Sequence, residues 1–419
     1  MKKRFIFISI LAIMTAACAE SEWEPASQTD VSTSTHSVRQ RTLDETLAYA
    51  DEWFAQMDEP TRSEGRRVGN VEYVRSTTRT RAGDTDTLMY LVNYEDNRGF
   101  ALLGCPATSK AIYAISEEGS LDMSDTVYNK PLALFMASAR ADANDLIPNP
   151  TLPPVTFPGD NQRPKRHIIR EVKPMLPDNV AKWSQSYPYN FFCDYYEEGH
   201  RGYVGCGPLS VGMLMAFYKR PTKLGNTTYD WDRIIKDNLT LVIADFLDKL
   251  ASPEYLNSKY LAWNNRYTPI LNIRIPFAKL GYGLGDVWNA TPLYTEKEDN
   301  IQALMDFMQR GTNNAKAAPV ILWGQSVEAI NEKYPGHIWV TDGFVEAEEL
   351  NPNFPEITPK KLDPLLHLIW GWGGKANGYY TYLKSKKRFT TIDASELDSG
   401  MPDMYGSILL FGKYITFDD

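Results

Sequence analysis

Six prolines fall between residues 147 and 164: Pro148, Pro150, Pro153, Pro154, Pro158 and Pro164. Proline fixes φ and offers no N–H, so this stretch is neither helix nor central strand. The chain must therefore fold as two blocks, one on either side. A basic cluster follows, with Arg163, Lys165, Arg166, His167 and Arg170. Basic residues beside such a stretch read as an exposed, cleavable linker, which we place at 146–172. A length of 419 residues suits two or three domains.

The first block opens on Thr42-Leu43-Asp44-Glu45, a capping-box pattern. Leu43, Leu47, Ala50, Phe54 and Met57 follow at helical spacing, and Pro60 ends the helix. Short strand-like runs come next at Val71–Arg75, Thr87–Asn93, Gly99–Gly104 and Ala111–Ser116. Asp96–Gly99 and Glu117–Gly119 read as hairpin turns. A helix followed by an antiparallel meander makes a small α+β unit, assigned to 42–145.

Ahead of this unit the chain starts Met1-Lys2-Lys3-Arg4, then runs apolar from Phe5 to Met14 and reaches Thr15-Ala16-Ala17-Cys18. A basic start, a short apolar run and small residues form a secretory signal, assigned to 1–17. The last four residues resemble a bacterial lipobox, in which Cys18 is lipidated, although Thr15 stands where that pattern has Leu. Residues 18–41 read as a polar tether. The expected location is therefore the cell envelope, as an outer-membrane or surface lipoprotein, or else the secreted fraction. The membrane is engaged only through that anchor, because no run approaches the roughly 18 apolar residues of a spanning helix. A net charge of −9 argues against a general nucleic-acid binder. Setting Cys18 aside leaves Cys105, Cys193 and Cys206, an odd number, so at least one thiol stays free.

In the second block, Leu209, Met213, Ala216 and Phe217 give a helix with one apolar face. Pro208 suits its first turn and Pro221 ends it. Cys206 then sits at the helix N-terminus, where the dipole and free amides would lower its pKa. Gly205 and Gly207 would leave its sulfur sterically open. A nucleophilic cysteine needs a base, and the chain has five histidines. His36 lies in the tether and His167 in the linker. His337 follows Cys206 by 131 residues (337 − 206), close to the roughly 130–150 of papain-like peptidases. His367, in Leu366-His367-Leu368, is the rival.

Five blocks in order carry a resemblance to a known family: Trp183-Ser184-Gln185-Ser186-Tyr187-Pro188-Tyr189-Asn190, Gly205-Cys206 with the helix ending at Tyr218-Lys219-Arg220-Pro221, Tyr229-Asp230-Trp231, Gly336-His337-Ile338-Trp339-Val340-Thr341-Asp342-Gly343, and Trp370-Gly371-Trp372-Gly373-Gly374. Together they resemble the streptopain family of cysteine peptidases. The likeness is strong from Lys173 onward. It is weaker in the first block, where Asn97–Leu103 carries it. The resemblance implies an α+β fold: a papain-like domain at 173–419, with a helix carrying the cysteine and an antiparallel sheet carrying the histidine, behind an inhibitory propeptide domain at 42–145. It implies Cys206 as nucleophile, His337 as base and Gln185 as oxyanion-hole donor, with Trp370 and Trp372 walling the site. No cofactor or metal is implied. The partners are protein or peptide substrates and the chain's own propeptide in cis.

Two departures stand out. Ile369 occupies the position of the family's Asn, which leaves the imidazole without that orienting partner. A backbone carbonyl or Asp342 would then have to serve, hydrolysis would be weakened, and Ile369→Asn would raise it about tenfold. The Cys-Gly-Pro run at Cys206 also resembles the bacteriocin-processing branch of papain-fold peptidases, but Gln185 and Cys206 lie 21 residues apart (206 − 185), farther than in that branch. The expected function is an exported cysteine endopeptidase made as a zymogen. Its alternatives are an impaired homologue acting as a surface binding or adhesion protein, and a papain-fold acyltransferase.

Overall fold

The computed structural model describes residues 39–57, 65–76, 87–127, 129–145, 165–197, 199–262, 265–282, 291–292, 301–310, 317–325, 336–350, 358–382 and 407–409. The expected signal, Cys18, most of the expected tether and the proline-rich stretch lie outside them.

Helix α1 (Leu43–Met57) begins on the expected capping box. The Thr42 N–H donates to Glu45 Oε2 at 2.8 Å and the Glu45 N–H to Thr42 Oγ1 at 3.2 Å. Strands β1 (Val68–Arg75), β2 (Thr87–Tyr94), β3 (Phe100–Gly104) and β4 (Ile112–Ser116) form the meander. The turn at Asp96–Gly99 joins β2 to β3 as expected. Glu117–Gly119 makes no hairpin; it folds back on that turn, with Gly99 N–H donating to Gly119 O and Gly119 N–H to Asn97 O. A helix outside the sequence expectations, α2 (Lys130–Asp145), follows. Its Leu132, Met136, Ala139 and Ala143 are buried along one face.

Strand β5 (Lys165–Val172) occupies residues that the sequence reading gives to the linker. Its pairing with β14 (Gly336–Leu350) explains the difference, because two of its basic residues, Arg166 and Arg170, are engaged by the fold. Arg170 Nε lies 3.0 Å from Glu346 Oε2, and the Arg166 guanidinium stacks 4.9 Å from the Tyr49 ring.

Beyond β5 come α3 (Asp178–Ala181), α4 (Cys206–Tyr218), α5 (Trp231–Asp237), α6 (Thr240–Ala251), α7 (Arg274–Lys279) and α8 (Ile301–Arg310). Among the described residues, three two-stranded antiparallel pairs lie outside the main sheet: β6 (Tyr195–Glu197) with β7 (His200–Arg201), β8 (Lys223–Leu224) with β9 (Thr227–Thr228), and β10 (Lys259–Ala262) with β11 (Asn265–Tyr267). The remaining strands are β12 (Thr291–Pro292), β13 (Val320–Gln325), β15 (Lys360–Lys361), β16 (Leu365–Ile369), β17 (Gly378–Thr381) and β18 (Ser407–Leu409).

Among the described residues the main sheet is antiparallel, in the order β1-β2-β3-β4-β17-β16-β14-β13-β18-β12, with β5 and β15 also on β14. The meander thus joins the second block edge to edge, Tyr379 opposite Ile115 and Tyr380 opposite Ala114. One apolar cluster gathers α4, α5, α6 and α7 against Ile338, Val340 and Ile369. A second holds α2 and α8 on the other face, against Phe344, Leu366, Leu368 and Trp370. The arrangement is α+β, with a cysteine-bearing helix packed on a histidine-bearing antiparallel sheet.

Candidate active site

Helix α4 has no exposed face along most of its length. Residues 207–216 are all buried, so the one-faced pattern expected from the sequence gives way to a central helix wrapped by the first cluster. Gly205, just ahead of it, has φ 92°, a left-handed value that disfavours a side chain. A Cβ there would meet Arg266 O at 2.8 Å, and one on Gly207 would meet Thr268 Oγ1 at 2.4 Å. The glycines flanking Cys206 therefore serve backbone conformation and close packing, rather than opening access to the sulfur.

The backbone N–H groups of Ile338, Gly207 and Cys206 itself lie near the thiol and favour its ionised form. Burial nevertheless dominates and pushes the thiol up to about 11. The lowered value expected at a helix N-terminus is thus outweighed by desolvation. His337 opens β14 immediately before Ile338. Burial pushes its imidazole down to about 3, and its Nε2 has no hydrogen-bond partner. The structure brings Cys206 to the backbone beside His337 without a thiol–imidazole hydrogen bond, and at neutral pH both groups are uncharged.

Gln185 is buried and held by its backbone on two sides. Its N–H donates to Gly371 O at 3.2 Å, and its carbonyl accepts from the Val204 N–H at 2.9 Å. The Val204 bond ties Gln185 to a residue two positions before Cys206. Its Nε2 also lacks a partner. Buried polar atoms are nearly always paired, so unpaired donors here call for a reason.

Both tryptophans belong to the second cluster. Trp370 lies inside the second cluster, with Nε1 donating to Ala376 O at 3.0 Å and its ring 5.7 Å from Trp339. It is core rather than wall. Trp372 sits edge-on to Tyr203 at 5.3 Å and pairs through its backbone with Ser184, next to Gln185.

His367 is engaged elsewhere. Its Nδ1 lies 2.6 Å from Asp342 Oδ1, and its ring meets Tyr379. Asp342 Oδ2 accepts the N–H groups of Met175 at 3.0 Å and Leu176 at 2.8 Å. Asp342 is therefore committed to His367 and to the chain after β5, and does not orient His337. Sequence reasoning missed this pair; the nearness of Asp342 to His337 along the chain pointed the wrong way. Ile369 is buried opposite Val340 among the apolar residues of the first cluster. Cys105, Cys193 and Cys206 are all free thiols, and Cys193 lies against Arg266 Nη1 at 3.8 Å.

Comparison with known proteins follows the same division of the chain. Residues 35–142 match the model of the Spi protease inhibitor, and residues 287–380 match that of the Peptidase C10 family. Over these two stretches the chain is similar to the Peptidase C10 family and to the Spi protease inhibitor. The inhibitor match covers the helix-and-meander unit. The Peptidase C10 match takes in His337 and the Trp370–Gly374 run, and begins beyond Gln185 and Cys206. Among curated proteins the chain is 22% identical over 253 residues to the thiol protease/hemagglutinin PrtT of Porphyromonas gingivalis, a stretch that is 51% of this chain and 26% of that one. The chain thus spans about a quarter of that relative's length. A solved structure of a prointerpain A fragment from Prevotella intermedia is 15% identical, with TM-score 0.49, over 82% of this chain and 98% of that one. The active interpain A cysteine protease of the same organism is 20% identical, with TM-score 0.34, over 54% and 90%.

Proposed function

We propose that the chain is an exported cysteine endopeptidase made as a zymogen. Cys206 is the nucleophile, His337 the base, and Gln185 with the Cys206 N–H the oxyanion-hole donors. The observation that carries this reading is the pair of buried, unpaired polar atoms, Gln185 Nε2 and His337 Nε2, on the two segments that meet the Cys206 end of α4. Unsatisfied donors at such a place suit a charge that exists only during reaction.

In the reaction, His337 takes the Cys206 proton and the thiolate attacks the peptide carbonyl carbon. Negative charge moves to the carbonyl oxygen, facing Gln185. Collapse expels the amine, which takes the proton from His337, and leaves a thioester on Cys206. Water then releases the acid and restores the thiol.

Residues 42–145 act as the inhibitory segment, in line with the Spi-type match. Their edge-to-edge union with β17 supports a propeptide folded onto the peptidase block. The neutral thiol and neutral imidazole suit a latent precursor. Processing falls in the 146–172 linker, ahead of the part of β5 that pairs with β14. The Met1–Ala17 leader supports export, and the Ala16-Ala17-Cys18 run supports lipid attachment at Cys18.

The test is incubation of the full chain with an unfolded protein under reducing conditions. Fragments should appear and should be lost in Cys206→Ala. Equal fragmentation by both proteins would refute the proposal.

A further inference from the structure

The chain between Gln185 and Cys206 leaves the site and returns to it. The Val204 N–H to Gln185 O bond closes its base. Within the loop, Asn190 Nδ2 donates to Gly202 O at 3.0 Å, the Gly202 N–H to Asp194 O at 2.9 Å, and Arg201 Nη1 to Cys193 O at 2.9 Å. The backbone is thus pinned at several levels, while its large side chains face outward. Tyr187 is 74% exposed, Phe191 37%, Phe192 46% and Tyr195 61%. Tyr189 turns in against Trp183, Tyr203 packs against Trp372, and Tyr196 is half-buried beside His200. The Arg201 guanidinium lies 4.1 Å from the Tyr195 ring and 5.1 Å from the Phe191 ring, and Phe191 meets Phe192 edge-on. The Tyr195, Phe191 and Phe192 rings are therefore held against one another and Arg201, while Tyr187 stands free.

Large aromatic side chains bury well and are normally buried. Four of them exposed on nine residues of one pinned loop mark an interaction surface. Building on the peptidase reading, we infer that this loop is a substrate shelf: it takes apolar and aromatic side chains of an extended polypeptide on the Gln185 side of the scissile bond. The occupant follows from continuity. A polypeptide lying across Cys206 and Gln185 must leave the site past a loop whose two ends are those residues' neighbours. Asp194, exposed among the rings, disfavours an anionic lipid surface. Because Tyr195 and Phe191 are already held by Arg201, and Phe192 by Phe191, those three rings need little ordering on binding.

The experiment uses the full chain carrying Cys206→Ala, so that no cleavage intervenes. Its affinity for fluorescein-labelled, reduced and carboxymethylated casein is read by anisotropy. The double change Phe191→Ser and Phe192→Ser should raise Kd about tenfold. Tyr187→Ser, at a side chain largely free of the loop's own packing, should raise it severalfold. Leu241→Ser, at an exposed leucine on α6, should leave it unchanged. Equal affinity in parent and shelf variants, or no binding by the parent, would overturn the inference. So would shelf-dependent binding to phosphatidylcholine–phosphatidylglycerol vesicles without polypeptide binding. Labelling of Cys206 by an epoxide warhead in the processed protein separates the two claims. Labelled Cys206 with unaltered casein affinity sinks the shelf alone. Unlabelled Cys206 with shelf-dependent affinity sinks the peptidase reading and leaves a polypeptide-binding surface.

Discussion

Ile369→Asn restores the residue of the streptopain pattern, and the structure turns the expected gain into a loss. The Ile369 side chain is 1% exposed, lies opposite Val340, and packs with Ile338 and Val340 against the cluster around α4. Removing a buried Ile side chain withdraws about 1.5–3 kcal/mol of burial. An amide placed there without partners adds a penalty of about 1–3 kcal/mol. The expected destabilisation is therefore about 3–5 kcal/mol, against about 0.5–1.5 kcal/mol for Ile369→Val. The denaturant midpoint should fall at unchanged slope, and the Tm should drop by roughly 5–15 °C. Activity should not rise. Pairing between β14 and β16 ends at Val340–Ile369, and His337 lies three residues farther out. The assay is chemical and thermal unfolding of parent, Ile369→Val and Ile369→Asn, with peptide turnover per titrated Cys206. A melt within a degree or two of the parent would refute the packing argument. A tenfold gain in turnover would mean that position 369 reaches the His337 ring.

Other outcomes follow from the same geometry. Gln185→Ala should lower kcat by about 10²–10³ with covalent labelling of Cys206 retained, as removal of one oxyanion-hole donor does; the check is kcat and KM on a fluorogenic peptide. With the thiol pushed up to about 11 by burial, the unprocessed chain at pH 8 should react with iodoacetamide about 100-fold more slowly than a thiol at the ordinary value of 9.0, and the rate should climb until about pH 11. A rate already level below pH 7 would show a preformed thiolate–imidazolium pair. Because burial lowers His337 to about 3, its neutral form adds stability above pH 6.5 that is lost as pH falls toward 3, and His337→Gln should flatten that part of the stability curve. Mild proteolysis should cut at 146–164 and leave a resistant fragment of roughly 255 residues that keeps β5. N-terminal sequencing decides it, and a fragment beginning after Val172 would contradict the role of that strand.

Much of the first block was legible because its signals are local. The capping box at Thr42 and Glu45 needs only the spacing of two side chains, and strands β1 to β4 follow short apolar runs between turn residues. The Cys206 helix was legible for the same reason: Pro208 and Pro221 bracket it. What stayed hidden depends on partners far along the chain. In β5 the inward residues include Arg166 and Arg170, whose charges meet Tyr49 and Glu346. Read without those partners, they look like solvent-exposed cleavage sites. The Cys206 thiol shows the same limit. A helix N-terminus argues for a lowered pKa, yet the burial that reverses it comes from the sheet and from helices packed around α4. Asp342 follows His337 by five residues, but the β14–β16 pairing hands it to His367 instead.

The central claim is that Cys206 performs covalent chemistry with His337 as its base. The most direct measurement is mass-spectrometric mapping of an epoxide-warhead adduct on the processed protein, in parent, Cys206→Ala, Cys105→Ala, Cys193→Ala and His337→Ala. The account predicts one adduct per chain on Cys206 in the parent and in the Cys105 and Cys193 variants, none in Cys206→Ala, and labelling slowed at least 100-fold in His337→Ala, with hydrolysis of an unfolded protein lost alongside. Labelling that persists in Cys206→Ala, or that is as fast without His337, would contradict it.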